Sequence, residues 1–200
     1  MTFDNTKLYN SKSSLLDADW YLLTLDNETH RLVDYLYQKY KIPNYISPHL
    51  SFKGMNFENI DDFLFPKLKN LLPDPFVFQD LEKGVNRLAE EVLHSRPIGI
   101  FGDYDVDGAT SAALIANYLE YCGCKTFIHI PDRFLEGYGP NERALKGLHE
   151  KGAELILTVD CGISSFEPLK AMSSVNLDLI VIDHHIPDTI LPPAYAIINP

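Results

Sequence analysis

Ile98-Gly99-Ile100-Phe101-Gly102-Asp103-Tyr104-Asp105-Val106-Asp107-Gly108 is the stretch that decides the fold. A short apolar run breaks at a glycine into three aspartates at alternate positions. A segment rich in Ala and Leu follows, with helical character from about Thr110 to Tyr121. Outward from there the same grammar repeats. Thr126–Ile130 is the next mainly apolar run, followed by a loop through Gly139-Pro140 and a helix from about Asn141 to Lys151. Leu155–Val159, a helix over about Ser164–Met172, Leu179–Ile182 and Tyr195–Ile198 complete the series. Strands alternating with single helices through short connections are βαβ units, which build a parallel sheet. The strands are continuous apolar runs, as expected when both of their faces are covered. The predicted fold class is α/β, a mostly parallel sheet with helices on both faces.

Toward the N-terminus the pattern changes. Leu32, Val33, Leu36 and Tyr37 make a helical stripe that Lys41-Ile42-Pro43 ends. Ile60–Leu72 is a second helical stretch, closed by Pro73-Asp74-Pro75. Leu81–Leu93 is a third, with Val85, Leu88, Ala89 and Val92 on one face. These readings divide the chain into a helical N-terminal region over 1–96 and an α/β domain over 97–200. The net charge is −11, and residues 97–200 carry 6 Lys/Arg against 14 Asp/Glu, so the acidity concentrates beside the aspartate motifs. That balance argues against a free-standing duplex-binding module, which needs a basic surface. Cys122, Cys124 and Cys161 are too few for a disulfide framework, and an odd count suits a reducing compartment. Cys122-x-Cys124 lacks a second Cys/His pair at zinc-ligand spacing. No signal-peptide pattern is visible, and no run reaches the roughly 20 apolar residues of a membrane span. A cytoplasmic protein without a membrane partner is expected.

In open α/β sheets ligands bind beyond the carboxyl ends of the strands, and the chemistry-bearing residues fall there. Asp103-x-Asp105-x-Asp107-Gly108, Asp160-Cys161-Gly162 and Asp183-His184-His185 each follow an apolar run. Carboxylates gathered at one rim repel, and one takes up a proton unless a cation neutralises them. Paired metals are the usual equipment for cutting phosphate esters. Alternate strand residues lie about 6.6–7 Å apart, more than paired metals do, so the backbone is expected to curl, with Gly102 and Gly108 permitting it. The segment also matches the start of a calcium-binding EF-hand loop, but Leu114 stands where a bidentate Glu is required and a strand precedes the motif. A solvated acidic turn, or for Asp160 a turn former or helix cap, is the plainer alternative. Adjacent His184 and His185 are expected on opposite sides of an extended chain, one toward a metal and one toward a substrate phosphate or the core. In the loop over Pro131–Asn141, Arg133 offers a bidentate fork to phosphate. Gly137 and Gly139 allow close backbone approach there, and Tyr138 can stack on a base. A purely structural Gly/Pro turn is the alternative.

Taken together, these motifs resemble the DHH phosphoesterase superfamily, and within it the RecJ-type single-strand-specific 5′→3′ DNA exonucleases. The residues that carry the likeness are Phe101–Gly108, Glu136-Gly137-Tyr138-Gly139-Pro140-Asn141, Val159-Asp160-Cys161-Gly162 and Asp183-His184-His185, in the family's order. The likeness extends over most of residues 30–200, through Asp74-Pro75 and the helix after it. It implies two divalent cations, Mn²⁺ or Mg²⁺, with Asp160 bridging and Asp105, Asp107 and His184 as direct ligands. Asp103 would be a ligand or a partner of one, and His185 would face the scissile phosphate. Catalytic roles fall to Asp160 and His185, and substrate binding to Arg133, Gly137, Tyr138, Gly139 and Asn141. The implied substrate is single-stranded DNA with a free 5′ end, cut to 5′-mononucleotides in DNA repair and recombination. A single-strand-binding protein and a separate C-terminal polypeptide are the implied partners.

RecJ-type enzymes continue well past the Asp-His-His motif, with a further metal-binding aspartate, a second core domain and an OB-like domain. This chain stops about fifteen residues after His185. It is therefore expected to bind metal but to show little nuclease activity by itself, as an N-terminal fragment, a split-gene product or a decayed copy. Two rivals remain. A small-molecule DHH hydrolase, such as a pyrophosphatase or an oligonucleotide phosphodiesterase, is disfavoured because the pyrophosphatase branch has a His where Phe101 stands. For a non-catalytic metal-binding interaction module, the intact ligand set speaks against full decay, whereas the early stop speaks in its favour.

Overall fold

The computed structural model describes residues 25–200, together with the backbone of Lys7–Tyr9 and Trp20–Tyr21, and divides the chain into two units, Met1–Leu72 and Pro73–Pro200. In the first unit β1 (Lys7–Tyr9) pairs antiparallel with β2 (Trp20–Tyr21), a ribbon absent from the predicted helical region. The rest of that region before residue 25 lies outside the described residues. α1 (Asn27–Tyr40) starts where the Asp26 carboxylate accepts the Thr29 N–H at 2.8 Å and ends at Lys41, whose φ of 60° is left-handed. Its Leu32 and Leu36 form a small core with Ile60, while Tyr37 of the predicted stripe stays exposed. The single helix expected over Ile60–Leu72 is two, α3 (Ile60–Leu64) and α4 (Leu68–Leu71), following α2 (Ser47–Phe52). Pro66 is the reason. It cannot donate a backbone hydrogen bond, and it drives Phe65 out of helical geometry.

The second unit carries the sheet. α5 (Leu81–Leu93), β3 (Ile98–Gly102), α6 (Val106–Tyr121), β4 (Thr126–His129), α7 (Glu142–Glu150), β5 (Leu155–Val159), α8 (Phe166–Ala171), β6 (Asp178–Ile182) and β7 (Ala196–Ile198) follow in order. The five strands are all parallel, in the order β4-β3-β5-β6-β7. Side chains along a strand alternate between faces, and the core accordingly has two halves. Ile98, Ile100, Leu155, Leu157 and Ile180 pack with Ala112, Ala116 and Leu119 of α6, and with Leu88 and Val92 of α5. Phe101, Ile156, Leu179 and Val181 pack with Leu145 and Leu148 of α7 and Leu169 of α8. Each of these buried aliphatic side chains contributes about 1.5–3 kcal/mol relative to exposure.

α5 lies in the same compact unit as the sheet and is bonded to it. Arg87 of α5 donates from Nε to Asp178 Oδ2 at 2.6 Å and pairs with the fully buried Glu91, which also takes Arg96 Nε at 2.7 Å. A buried carboxylate without such partners would be strongly destabilising. The Asp80 side chain accepts the Ile197 N–H at 3.0 Å, so the segment leading into α5 is tied to the last strand. Among the described residues, no helix is long and apolar enough to cross a membrane.

Candidate metal centre

Because β4 and β5 lie on opposite sides of β3, the connections leaving β3 and β5 diverge and open a crevice at the strands' carboxyl ends. Register then decides what stands there. Gly102 pairs with Val159, and Val159 with Ile182. The next residue of each strand is therefore Asp103, Asp160 and Asp183, all on one level of the rim. Backbone bonds continue that level: Asp103 N–H to Val159 O at 3.3 Å, Asp160 N–H to Ile182 O at 2.9 Å, and Asp183 N–H to Ile198 O at 3.1 Å.

The first motif curls as expected, by a different device. The strand stops at Gly102, Asp105 caps α6 by accepting the Gly108 N–H at 3.0 Å, and the helix begins at Val106, earlier than its apolar pattern indicates. Neither Gly102 nor Gly108 has a positive φ. They are needed for close packing: a Cβ on Gly108 would lie 2.5–2.6 Å from the backbone N, O and Cα of Asp103. Asp160 does take the left-handed conformation, φ 60°, a cost of roughly 1–2 kcal/mol outside glycine that Asp bears better than most residues.

Two groups of side chains converge, each with ligand atoms within 4.8 Å of one another: Asp103, Asp105 and Asp160, and Asp160, His184 and His185. Asp160 belongs to both. Burial and the facing Asp105 carboxylate push its carboxyl up from the ordinary range, whereas the Gly108 N–H holds Asp105 down. A bound cation would relieve the repulsion between the two carboxylates. Carboxylate oxygens with imidazole nitrogen form a donor set suited to divalent ions between the hard and borderline classes. Asp107, predicted beside Asp105, is in neither group and sits exposed in the first turn of α6.

The histidines depart from expectation. Asp183 turns the chain by accepting the N–H groups of both His184 and His185, at 2.7 and 3.1 Å. The segment is therefore not extended, and the two imidazoles lie side by side with centroids 4.6 Å apart. His184 Nε2 lies 3.0 Å from Asp160 Oδ1, and His185 Nδ1 lies 2.7 Å from Asp183 Oδ1. Asp183 itself had no role assigned from sequence, although it heads the motif. Burial would raise its carboxyl, but hydrogen bonds from Ile163, His185 and His184 outweigh that and hold it below the usual range.

The loop over Pro131–Asn141 forms a wall of this crevice. Tyr104 and Tyr138 meet edge to face at 6.4 Å, Tyr138 meets His185 at 6.1 Å, and the Arg133 guanidinium lies over the Tyr104 ring at 5.3 Å. Gly137 and Gly139 take φ values of 82° and 77°, so their first service is the turn itself. Asn141, expected to contact substrate, has structural bonds within the loop and α7. Its Oδ1 accepts the Ala144 N–H at 2.9 Å to cap α7, and its Nδ2 donates to Glu136 Oε2 at 3.0 Å. Glu136, quoted in the motif but given no role, organises the loop. It accepts the Asp132 N–H and binds His129 Nε2 at 2.9 Å, and those bonds hold its carboxyl down to about 2. Cys161 is core, its thiol buried and pushed up in pKa. A cavity of about 350 Å³ opens between Tyr138, Ser164, Ser165 and His185.

The chain is similar to single-stranded-DNA-specific exonuclease RecJ of Bacillus subtilis, 39% identical over 127 residues that cover 64% of this chain and 16% of that protein. It is likewise similar to RecJ of Escherichia coli, 41% identical over 121 residues, covering 60% of this chain and 21% of that one. It thus spans less than a quarter of the length of these relatives. Among solved structures, exonuclease RecJ bound to manganese superposes with a TM-score of 0.57 at 32% identity, over 62% of this chain and 31% of that one. The family model for the DHH family, N-terminal domain, matches residues 97–200. That match begins one residue before β3 and takes in every strand end of the rim, and the chain belongs to the DHH family.

Proposed function

We propose that this chain supplies the metal-binding part of a RecJ-like, single-strand-specific DNA exonuclease that hydrolyses phosphodiester bonds from a 5′ end. The observation that carries the reading is Asp160, shared by two ligand groups at the switch point of the sheet. A carboxylate common to two groups is what a pair of ions needs as a bridge. The ligand set is Asp103, Asp105, Asp160 and His184, joined by Asp107 through a change of side-chain rotamer. The ions are two, Mn²⁺ or Mg²⁺. When bound, such ions polarise phosphoryl oxygens and lower the pKa of a bound water.

The chain's own residues do the rest. His185 faces the scissile phosphate from beside the carboxylates. Arg133, braced on Tyr104, pairs with a backbone phosphate, and Tyr138 gives a base a ring to stack on. Three unpaired cysteines fit the cytoplasm. A 5′-phosphorylated strand is the substrate, in repair and recombination, with a single-strand-binding protein and a further C-terminal polypeptide as partners.

Calorimetric titration with Mn²⁺, paired with binding of 5′-phosphorylated single-stranded and duplex DNA to the Mn²⁺-loaded chain, tests the reading. Mn²⁺ binding that Asp160→Ala abolishes, and a preference for the single strand, are expected. Binding that survives Asp160→Ala overturns the metal assignment. Equal handling of duplex DNA overturns the substrate assignment.

A further inference from the structure

Five aspartates follow the apolar runs, and Asp183 differs from the others in how its oxygens are used. Its side chain is 1% exposed. Oδ2 accepts the Ile163 N–H at 3.0 Å, while Oδ1 accepts the His184 N–H at 2.7 Å, the His185 N–H at 3.1 Å and His185 Nδ1 at 2.7 Å. Each carboxylate oxygen offers about two lone-pair sites, so three donors oversubscribe Oδ1 while Oδ2 takes one. With Oδ1 taken up, the side chain buried and Asp183 in neither converging group, it is set apart from the ligand role proposed for Asp103, Asp105 and Asp160.

We infer that Asp183 is a positioning residue, holding His185 as the Nδ1–H tautomer so that Nε2 is the nitrogen presented to the phosphate. The inference rests on the reading of this rim as a phosphodiester-cleaving centre. A ring nitrogen bound to a carboxylate keeps its proton, and that bond chooses the role of the other nitrogen. The Tyr138 hydroxyl lies 3.4 Å from the same Nδ1, too far to compete with a 2.7 Å charge-assisted bond. The bond from Ile163 has a second consequence. It ties the connection after β5, three residues past Asp160, to the carboxylate that orients His185. One buried group thus sets the spacing between the shared carboxylate and the imidazole beside it.

Long-range ¹H–¹⁵N NMR of the metal-free chain, at a pH where the imidazoles are neutral, reads the tautomer directly. His185 is expected to carry its proton on Nδ1 by about tenfold or more. In Asp183→Asn an amide replaces one acceptor oxygen, and the ratio should fall toward a mixture, with His184 as the internal control. A wild-type ring protonated mainly on Nε2 overturns the inference, and so does an unchanged ratio in a folded Asp183→Asn variant. If that variant does not fold, the wild-type spectrum alone decides. No metal or DNA enters the measurement. A chain that fails to bind Mn²⁺ but shows the Nδ1–H form would therefore sink the proposed function and leave the tautomer assignment standing.

Discussion

Gly108→Ala sets two local rules against each other. Gly108 lies in the first turn of α6, where alanine is favoured over glycine by about 1 kcal/mol on helix propensity alone. The added Cβ would lie 2.5 Å from Asp103 N and O and 2.6 Å from its Cα. All three are backbone atoms, so no rotamer change can relieve the clash, and the helix must move away from the strand end. Overpacking of this kind costs typically 1–3 kcal/mol, and contact with backbone puts it at the upper end. The net effect is a destabilisation of about 2 kcal/mol, or roughly 6–10 °C in melting temperature for a unit of this size. Thermal unfolding in chelator, with Ala109→Gly as a propensity control on an exposed neighbouring site, measures it. Calorimetry should also show weaker Mn²⁺ binding, because relief of the clash displaces Asp103. A Gly108→Ala chain that melts at or above the wild type would refute the close-packing account.

Asp160→Asn should stabilise the metal-free chain by about 0.5–2 kcal/mol, since it removes a buried carboxylate that faces Asp105 and leaves a residue tolerant of φ 60°. Denaturant midpoints in chelator would show this, with Mn²⁺ binding lost in the same protein. Asp107→Ala should weaken Mn²⁺ binding by about tenfold or more if rotation brings that side chain into the ligand set; unchanged affinity would leave Asp107 as a first-turn helix acid. Glu136 has its carboxyl held near 2 against an ordinary 4.5, so the folded chain binds that proton less readily than the unfolded one. The stability it contributes is present above pH 4.5 and disappears as pH falls toward 2. The stability gap between wild type and Glu136→Gln, from denaturant melts at stepped pH, should narrow over that window.

Much of the sheet unit was legible because the signals are local. Continuous apolar runs marked β3, β5 and β6 to within a residue, and Leu81–Leu93 was delimited by its own periodicity. Capping was harder to read. Asp105 looked like a ligand alone, yet it also starts α6, which the Ala/Leu pattern placed four residues late. Asn141 likewise carries a structural service that its motif position did not reveal, with its amide bonded to the loop and to α7. An Asx turn decided the histidines, because acceptance of two successive N–H groups by Asp183 cancels the alternation assumed for an extended chain.

The sequence by itself determined which segments of the sheet unit are strands and helices, and that carboxylates and imidazoles follow the strands, because apolar period and turn chemistry act over a few residues. Only the tertiary structure decided that β3, β5 and β6 lie side by side in register, so that Asp103, Asp160 and Asp183 share one level. It also set Asp103 and Asp160 in converging groups and tied Asp183 into four hydrogen bonds, and it joined α5 to the sheet through Arg87, Glu91 and Asp178. These outcomes depend on partners 20 to 90 residues away in the chain, where hydrogen bonding and buried charge pairing act and local pattern carries no signal.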